Sequence, residues 1–244
     1  MKAMILAAGI GSRLKPLTDH MPKALVPVKG TPMLQHVIEK LKREGFNDLV
    51  INVHHFANQI TEFLRANDNF GLKIQISDET AGLLDTGGAL QHALPLFGND
   101  EFVLIHNTDI LSNCNLAQLC EFHLQNAHQA VATLLVSERQ TTRYLLFDDQ
   151  NCLRGWINKA TGKVKPEGFV YTPGKYHEYA YSCIQIVNTA MLKQMPEGAF
   201  SIIDYYLSIC NEQNILCYTM PDLQILDIGK PNTLAQADSF IQNI

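Results

Sequence analysis

Along the first half of the chain, short continuous apolar runs alternate with stretches whose apolar residues recur at helical spacing. That alternation predicts repeated β-α units, with strands covered by helices. Residues 3–8 form the first apolar run and predict a strand buried on both faces. Thr31 and Pro32 predict the cap and first turn of a helix. Met33, Leu34, Val37, Ile38 and Leu41 fall on its apolar stripe, and Gly45 closes it. Residues 48–53 predict a strand, 58–66 a helix with Ile60, Phe63 and Leu64 inward, and 72–77 an alternating strand. A helix over 86–97, a buried strand over 101–106, a helix over 115–127 and a strand over 130–136 complete this half.

The pattern then changes. Residues 138–180 mix Thr, Gly, Lys, Tyr and Pro with brief apolar stretches at 144–147 and 153–157, which predicts antiparallel strands and loops beside the main sheet. A strand over 179–187, a helix over 201–211, a strand over 215–220 and a last helix from Pro231 towards Ile241 follow. No linker, repeat or charge block interrupts the chain, so the expectation is an α/β fold in one domain over residues 1–244.

Composition narrows the class. Of 244 residues, 46% are hydrophobic and 18% charged, which suits a globular core and argues against disorder or a coiled coil. The formal charge of −5 argues against a general nucleic-acid binder, although a local basic cluster could still hold phosphates. No segment approaches the roughly 20 apolar residues of a membrane helix, so no membrane partner is expected. The opening residues resemble a signal peptide, but the apolar run is too short and a glycine turn follows at once. The six cysteines include no Cys-x-x-Cys pair and read as reduced, mostly buried thiols of a cytoplasmic protein.

The most informative stretch runs from Leu6 to Thr18, Leu-Ala-Ala-Gly-Ile-Gly-Ser-Arg-Leu-Lys-Pro-Leu-Thr. A buried strand that ends in small residues frees backbone N–H groups to converge on an anion. Gly9 and Gly11 permit a close approach that a Cβ would block. The Gly-Lys-Ser/Thr of a P-loop is absent, and Leu14 stands where a dinucleotide fingerprint needs its last glycine, which argues against a nicotinamide oxidoreductase. A Gly-x-Gly alone is as compatible with a tight turn as with a phosphate cradle. Arg13 and Lys23 add to it a guanidinium fork and an ammonium point charge, both suited to phosphate.

Together with Pro22-Lys23-Ala24-Leu25-Val26-Pro27-Val28, this stretch resembles the signature of the sugar-1-phosphate nucleotidyltransferases. The resemblance implies a Rossmann-like mixed, mostly parallel sheet flanked by helices, with a smaller antiparallel sugar-side subregion. It divides the domain into a nucleotide-binding half, 1–137, and a sugar-binding half, 138–244. It also implies a nucleoside triphosphate and a sugar-1-phosphate as partners and Mg2+ as cofactor. By that resemblance Arg13 holds the β- and γ-phosphates and Lys23 the α-phosphate, and both are catalytic. The nucleotide contacts it implies are Leu6, Ala8, Gly9, Gly11 and Ser12, then Asp85, Thr86, Gly87 and Gly88, and Asn107.

Asp109 lies just past a predicted strand, at the edge where open α/β sheets bind ligands, and Asp227 sits between apolar residues before a helix. Each alone reads equally as a cap or turn former. In the positions that the resemblance gives them, the pair suits a hard cation that takes one or two carboxylates. Relatives usually carry Gly where this chain has Thr108, and an aromatic where it has Ile225. Asp85 and Thr86 also read as helix caps, and His54 as a polar lining residue. On the sugar side the candidates are Cys183, where relatives often carry Gly, and Glu178. A core cysteine and a solvated carboxylate are their plain alternatives, and 159–179 reads as a flap.

The segment Asn52-Val53-His54-His55, the Thr-Gly-Gly triplet and Gly198-Ala199-Phe200-Ser201 resemble those of N-acetylmuramate-1-phosphate uridylyltransferases. Mannose- or heptose-1-phosphate guanylyltransferases share the triplet, and the opening block also resembles phosphocholine cytidylyltransferases. A non-catalytic nucleotide-sugar sensor is the alternative of another class.

Overall fold

The computed structural model describes residues 1–242; positions 243 and 244, the end of the 138–244 half, lie outside the described residues. In chain order the elements are β1 (Lys2–Leu6), β2 (Pro27–Val28), β3 (Thr31–Pro32), α1 (Met33–Arg43), β4 (Asp48–Val53), α2 (Ala57–Ala66), β5 (Lys73–Asp78) and α3 (Asp85–Phe97). They continue with β6 (Phe102–Asn107), β7 (Ile110–Ser112), α4 (Leu116–Asn126), β8 (Ala130–Ser137), β9 (Arg143–Phe147), β10 (Leu153–Asn158), β11 (Val164–Lys165) and β12 (His177–Asn188). The last are α5 (Thr189–Leu192), α6 (Ile202–Ile209), β13 (Asn214–Thr219), β14 (Ile225–Asp227) and α7 (Pro231–Ile241).

The main sheet runs β5-β4-β1-β6-β12-β8-β13. β5, β4, β1 and β6 are mutually parallel, as are β8 and β13, and β12 is antiparallel to both of its neighbours. This is the mixed, mostly parallel sheet that the resemblance implies. Alternation along the strands sorts their side chains between two layers. Ala3, Ile5, Leu49, Ile51 and Leu104 pack with α1, α2 and α4, whereas Met4, Val50, Val103 and Ile105 pack with α3, α5 and α6. Both faces are therefore dry, which is why these strands read as unbroken apolar runs. The smaller antiparallel region is a sheet of β11-β10-β9, joined to the main one because β9 pairs with the first residues of β12.

Most predicted elements form where periodicity places them. Gly45 follows α1 with φ 88°, and Asn115 caps α4 by accepting from the Gln118 N–H at 3.0 Å. The expected cap at Thr31-Pro32 is corrected. Both residues pair with Pro27 and Val28 in a hairpin, and α1 starts at Met33 with Pro32 in the cap position and no side-chain cap. The hairpin wins because Lys29 and Gly30 both adopt positive φ, 50° and 78°, as a two-residue turn requires. The Lys29 N–H then donates to Asp238 Oδ1 of α7 at 2.7 Å. The β7–β14 ribbon, antiparallel through Ile110–Asp227, is too short to show in the pattern.

His106 is fully buried on β6; its Nδ1–H donates to the Asn107 carbonyl at 2.8 Å and Nε2 has no partner among the described residues. Burial lowers its pKa to about 4, only partly offset by the Asn107 carbonyl. The unfolded chain therefore takes up a proton near the ordinary value of 6.5 that the native chain refuses until about pH 4. This contribution is fully present above pH 6.5 and is lost as pH falls from there towards 4, roughly 3 kcal/mol in all. The urea midpoint should fall steadily between these limits, with the His106 ring carbons keeping neutral-imidazole shifts down to pH 5; a midpoint independent of pH across that interval would contradict it.

Candidate active site

At the end of β1 the chain leaves the sheet through buried Ala7 and Ala8 and then exposes Gly9 and Ile10. Gly11 turns it with φ 71° into a short 3-10 turn, Ser12–Leu14. A Cβ on Gly11 would stand 2.8 Å from Thr18 Cγ2 and 2.9 Å from Lys23 Cβ, so the glycine lets Lys23 lie against the loop. The Gly11 carbonyl accepts from the Thr18 hydroxyl at 2.9 Å and from the Leu14 N–H at 2.8 Å, which closes the loop on itself. A cavity of about 290 Å3 opens above it, lined by Leu6, Ala8 and Gly9, by Arg13 and Lys23, and by Asn107 at the end of β6. Gly11 and Ser12 sit behind this wall and do not line it.

Asp109 follows β6 and lines the same cavity. Its carboxylate is ion-paired with Lys23, and both side chains are largely buried. The ribbon brings Asp227 beside it: Asp227 pairs with Ile110, and the Ile228 N–H donates to the Asp109 carbonyl at 2.9 Å. The Gly229 N–H donates to Asp227 Oδ1 at 2.8 Å and holds that carboxylate in place. A Cβ on Gly229 would meet Asp227 Oδ1 at 2.9 Å, Asp109 Oδ2 at 3.0 Å and Arg13 Nη2 at 3.1 Å. Two carboxylates and a guanidinium thus converge on one glycine.

Among the described residues no group of three or more His, Cys, Asp or Glu gathers to hold a metal. Two all-oxygen donors beside an open glycine face nevertheless fit a hard divalent cation that fills its remaining positions with phosphate and water.

Asp85 starts α3 with φ 56° and, with Thr86, lines the cavity. Asp85 Oδ1 accepts from the Thr86 N–H at 2.6 Å, and Thr86 Oγ1 accepts from the Ile202 N–H at 3.0 Å. Gly87 and Gly88 do not reach the cavity. Both N–H groups point to the Phe200 carbonyl, at 2.8 and 3.3 Å, and added Cβ atoms would lie 2.3 Å from the Phe200 ring and 2.1 Å from the Gly198 carbonyl. These glycines dock α3 on the 198–200 loop, so two segments that stand apart in the sequence form one contact.

Asn52 and Glu79 are lining residues that sequence reasoning did not single out. Both are nearly fully buried. Asn52 accepts from the Ala7 N–H at 2.6 Å and donates to Glu79 at 2.7 Å, while Glu79 also accepts from the Leu84 N–H at 3.2 Å. The pair fixes the loop after β1 against the start of α3. Asn52 belongs to the 52–55 segment named above for its resemblance, whereas nothing in the sequence points to Glu79. His54 turns away, its Nδ1–H donating to the Glu79 carbonyl at 2.7 Å. Thr108 also lines the cavity, its hydroxyl donating to the Leu6 carbonyl at 2.6 Å.

A second cavity, of about 680 Å3, lies on the other side of Arg13, which lines both. Asp227, Lys230 and Cys183 border it. Cys183 sits where the β12–β8 register shifts and has φ 58°, a backbone state that glycine adopts at no steric cost. Burial, with the nearby charges of Asp109 and Asp227, pushes its thiol up to about 12. Glu178 lines neither cavity. It accepts from Lys159 Nζ at 2.7 Å and from the Tyr171 hydroxyl at 2.5 Å, which pins the 159–179 segment to β12. Burial raises its pKa, but these two hydrogen bonds outweigh that and hold it below the ordinary value.

Three comparisons bear on this arrangement. The model of the family described as Nucleotidyl transferase matches residues 2–244. The chain is 30% identical over 241 residues to N-acetylmuramate alpha-1-phosphate uridylyltransferase of Caulobacter vibrioides, covering 97% of this chain and 95% of that one. It is also 30% identical over 236 residues to mannose-1-phosphate guanylyltransferase 1 of Arabidopsis thaliana, covering 95% of this chain and 62% of that one. Among solved structures, HddC from Yersinia pseudotuberculosis complexed with GMP-PN superposes with a TM-score of 0.77 at 19% identity, over 98% of this chain and 99% of that one; this likeness concerns the fold.

Gly229→Ala tests the convergence. The added methyl meets only the tips of flexible side chains, so the melting temperature should move by a few degrees at most. The carboxylates and Arg13 must give way, and a displacement approaching 1 Å should lower kcat/KM about a hundredfold. Unchanged kcat/KM would mean that these three groups do not act together.

Proposed function

The chain belongs to the nucleotidyl transferase family, and on that premise we propose that it moves a uridylyl group from UTP to N-acetylmuramate-1-phosphate, giving the nucleotide-sugar and pyrophosphate. The observation that carries this reading is the seam between two cavities. Arg13 is their shared wall, and Asp109 and Asp227 meet beside it. A triphosphate in the first cavity and a sugar phosphate in the second would bring donor and acceptor face to face, the geometry that a direct in-line attack needs.

The attacking phosphate is already largely dianionic at neutral pH, with a second pKa of about 6, so the reaction requires no general base. The seam agrees with that requirement: its one thiol, Cys183, has a pKa of about 12 and stays protonated. Arg13 and Lys23 would neutralise the triphosphate, and the loop N–H groups around Gly9 would hold it in line. Asp109 and Asp227 would hold Mg2+, which supplies charge neutralisation to the phosphate oxygens when bound.

UTP is favoured over GTP by the segments at 52–55 and 198–201, which resemble those of N-acetylmuramate-1-phosphate uridylyltransferases. Guanylyl transfer to mannose- or heptose-1-phosphate is the second reading, which the shared identity of 30% keeps in view. The cytoplasm is the proposed setting, because all six cysteines are unpaired thiols. No described helix is long and apolar enough to cross a membrane.

Pyrophosphate release measured with Mg2+, N-acetylmuramate-1-phosphate and UTP, GTP or CTP in turn should occur with UTP. Release with GTP on mannose-1-phosphate instead would keep the transferase and replace both substrates. Silence with every pair, together with retained nucleotide binding, would leave a sensor. Chelation with EDTA should stop turnover and added Mg2+ restore it. Asp109→Ala should cut kcat by at least about 10²–10³-fold while the far-UV circular dichroism stays native.

A further inference from the structure

The second cavity holds more positive charge than one phosphate needs. Arg13, Arg139, Arg143, Lys165 and Lys230 line it against only two carboxylates, Asp204 and Asp227. Lys165 is paired with Asp204 at 2.6 Å, and Asp227 belongs to the seam. Arg13 and Lys230 stand at the seam end, next to Asp227, where a sugar-1-phosphate would present its phosphate. That leaves Arg139 and Arg143 in excess. The Arg139 guanidinium donates to the Tyr181 carbonyl at 3.0 Å. The Arg143 guanidinium has no partner among the described residues.

Arg143 comes from a different place in the fold, the small antiparallel sheet. It opens β9 in register with Asn158, while Leu145, two residues on, pairs with Trp156. Residues two apart on a strand share a face, so Arg143, Leu145 and Trp156 present one surface to the cavity. Lys165 Nζ lies 5.5 Å from the centre of the Trp156 ring and closes the far side. Half-buried Trp156 offers apolar surface there, with the Arg143 guanidinium at its border. Its planar fork matches a carboxylate, and among the described residues nothing else engages it.

We infer that the acceptor sugar carries a second anionic group, a carboxylate, and that Arg143 is the specificity-determining residue that reads it. The inference rests on the transferase reading above and deepens it. N-acetylmuramate differs from N-acetylglucosamine by a lactyl ether bearing one carboxylate, so this pair of sugars isolates the charge. Arg143 is solvent-exposed, and replacing it leaves the packed core untouched.

The test compares kcat/KM for N-acetylmuramate-1-phosphate and N-acetylglucosamine-1-phosphate, with UTP and Mg2+, in the native enzyme, Arg143→Gln and Arg143→Lys. The native enzyme should prefer the acidic sugar. Arg143→Gln should shrink that preference about tenfold to a hundredfold through the acidic sugar's KM, and Arg143→Lys should recover part of it. Equal use of both sugars by the native enzyme, or an equal fall for both in Arg143→Gln, overturns the inference. Calorimetric titration with unphosphorylated N-acetylmuramate and N-acetylglucosamine separates it from the transfer reading. Selective binding of the acid that Arg143→Gln abolishes, with no pyrophosphate released under any condition, would retain the carboxylate site and discard the transfer. Equal calorimetric affinity for both sugars, with pyrophosphate still released, would do the reverse.

Discussion

Holding Asp109 and Asp227 against the same glycine sets the terms for the rest of the molecule. Two like charges at close range repel, and partial burial strengthens the repulsion. The backbone opposes it through the β7–β14 ribbon, the Ile228 N–H on the Asp109 carbonyl and the Gly229 N–H on Asp227 itself. The side chains oppose it through the Lys23 ion pair and the Arg13 guanidinium. A site that gathers negative charge at one point and surrounds it with cations is arranged for ligands that need both, and phosphates bound with a divalent cation are such ligands.

The glycine loop and the carboxylate pair depend on each other through packing as well as charge. Leu14, Val26, Val28 and Met33 form a small core with Leu111, Ile228 and Ala237. One apolar cluster therefore locks the segment carrying Arg13 and Lys23 to the ribbon and to α7. The hairpin over Pro27–Pro32 serves the same purpose, since its Lys29 N–H is tied to Asp238. A change in the docking of α7 would be felt at the seam even though α7 supplies none of its charged groups.

β12 relates the two cavities. It runs against the direction of its neighbours, pairs with β6 through residues 184–188 and with β8 on both sides of a register shift, and starts the small sheet with β9 through residues 177–179. The shift falls around Cys183, where φ turns positive. A non-glycine residue in that conformation stores strain of about 1–3 kcal/mol, which the sheet on either side must impose. The cost falls at a residue that borders the second cavity.

Much of this was legible in the residue order. Apolar runs and stripes marked the layers of the sheet, because burial on two faces leaves a local trace. The glycine loop, Arg13 and Lys23 were legible for a similar reason: a tight turn, a fork and a point charge are properties of neighbouring residues. Asp109 and Asp227 could be named singly from their places at element ends. Their convergence could not, because three-residue strands carry too little periodicity to reveal the ribbon that joins them. Nor could the sequence tell that Gly87 and Gly88 face Phe200 and Gly198, that Glu178 is spent on Lys159 and Tyr171, or that Asn52 and Glu79 meet in the wall of the first cavity. Chain order by itself determined the elements, the layers and the chemical character of the loop, since each follows from contiguous residues. The seam, its two cavities and the free guanidinium at Arg143 were decided by tertiary structure alone, since each depends on which distant segments the sheet brings within a few ångströms.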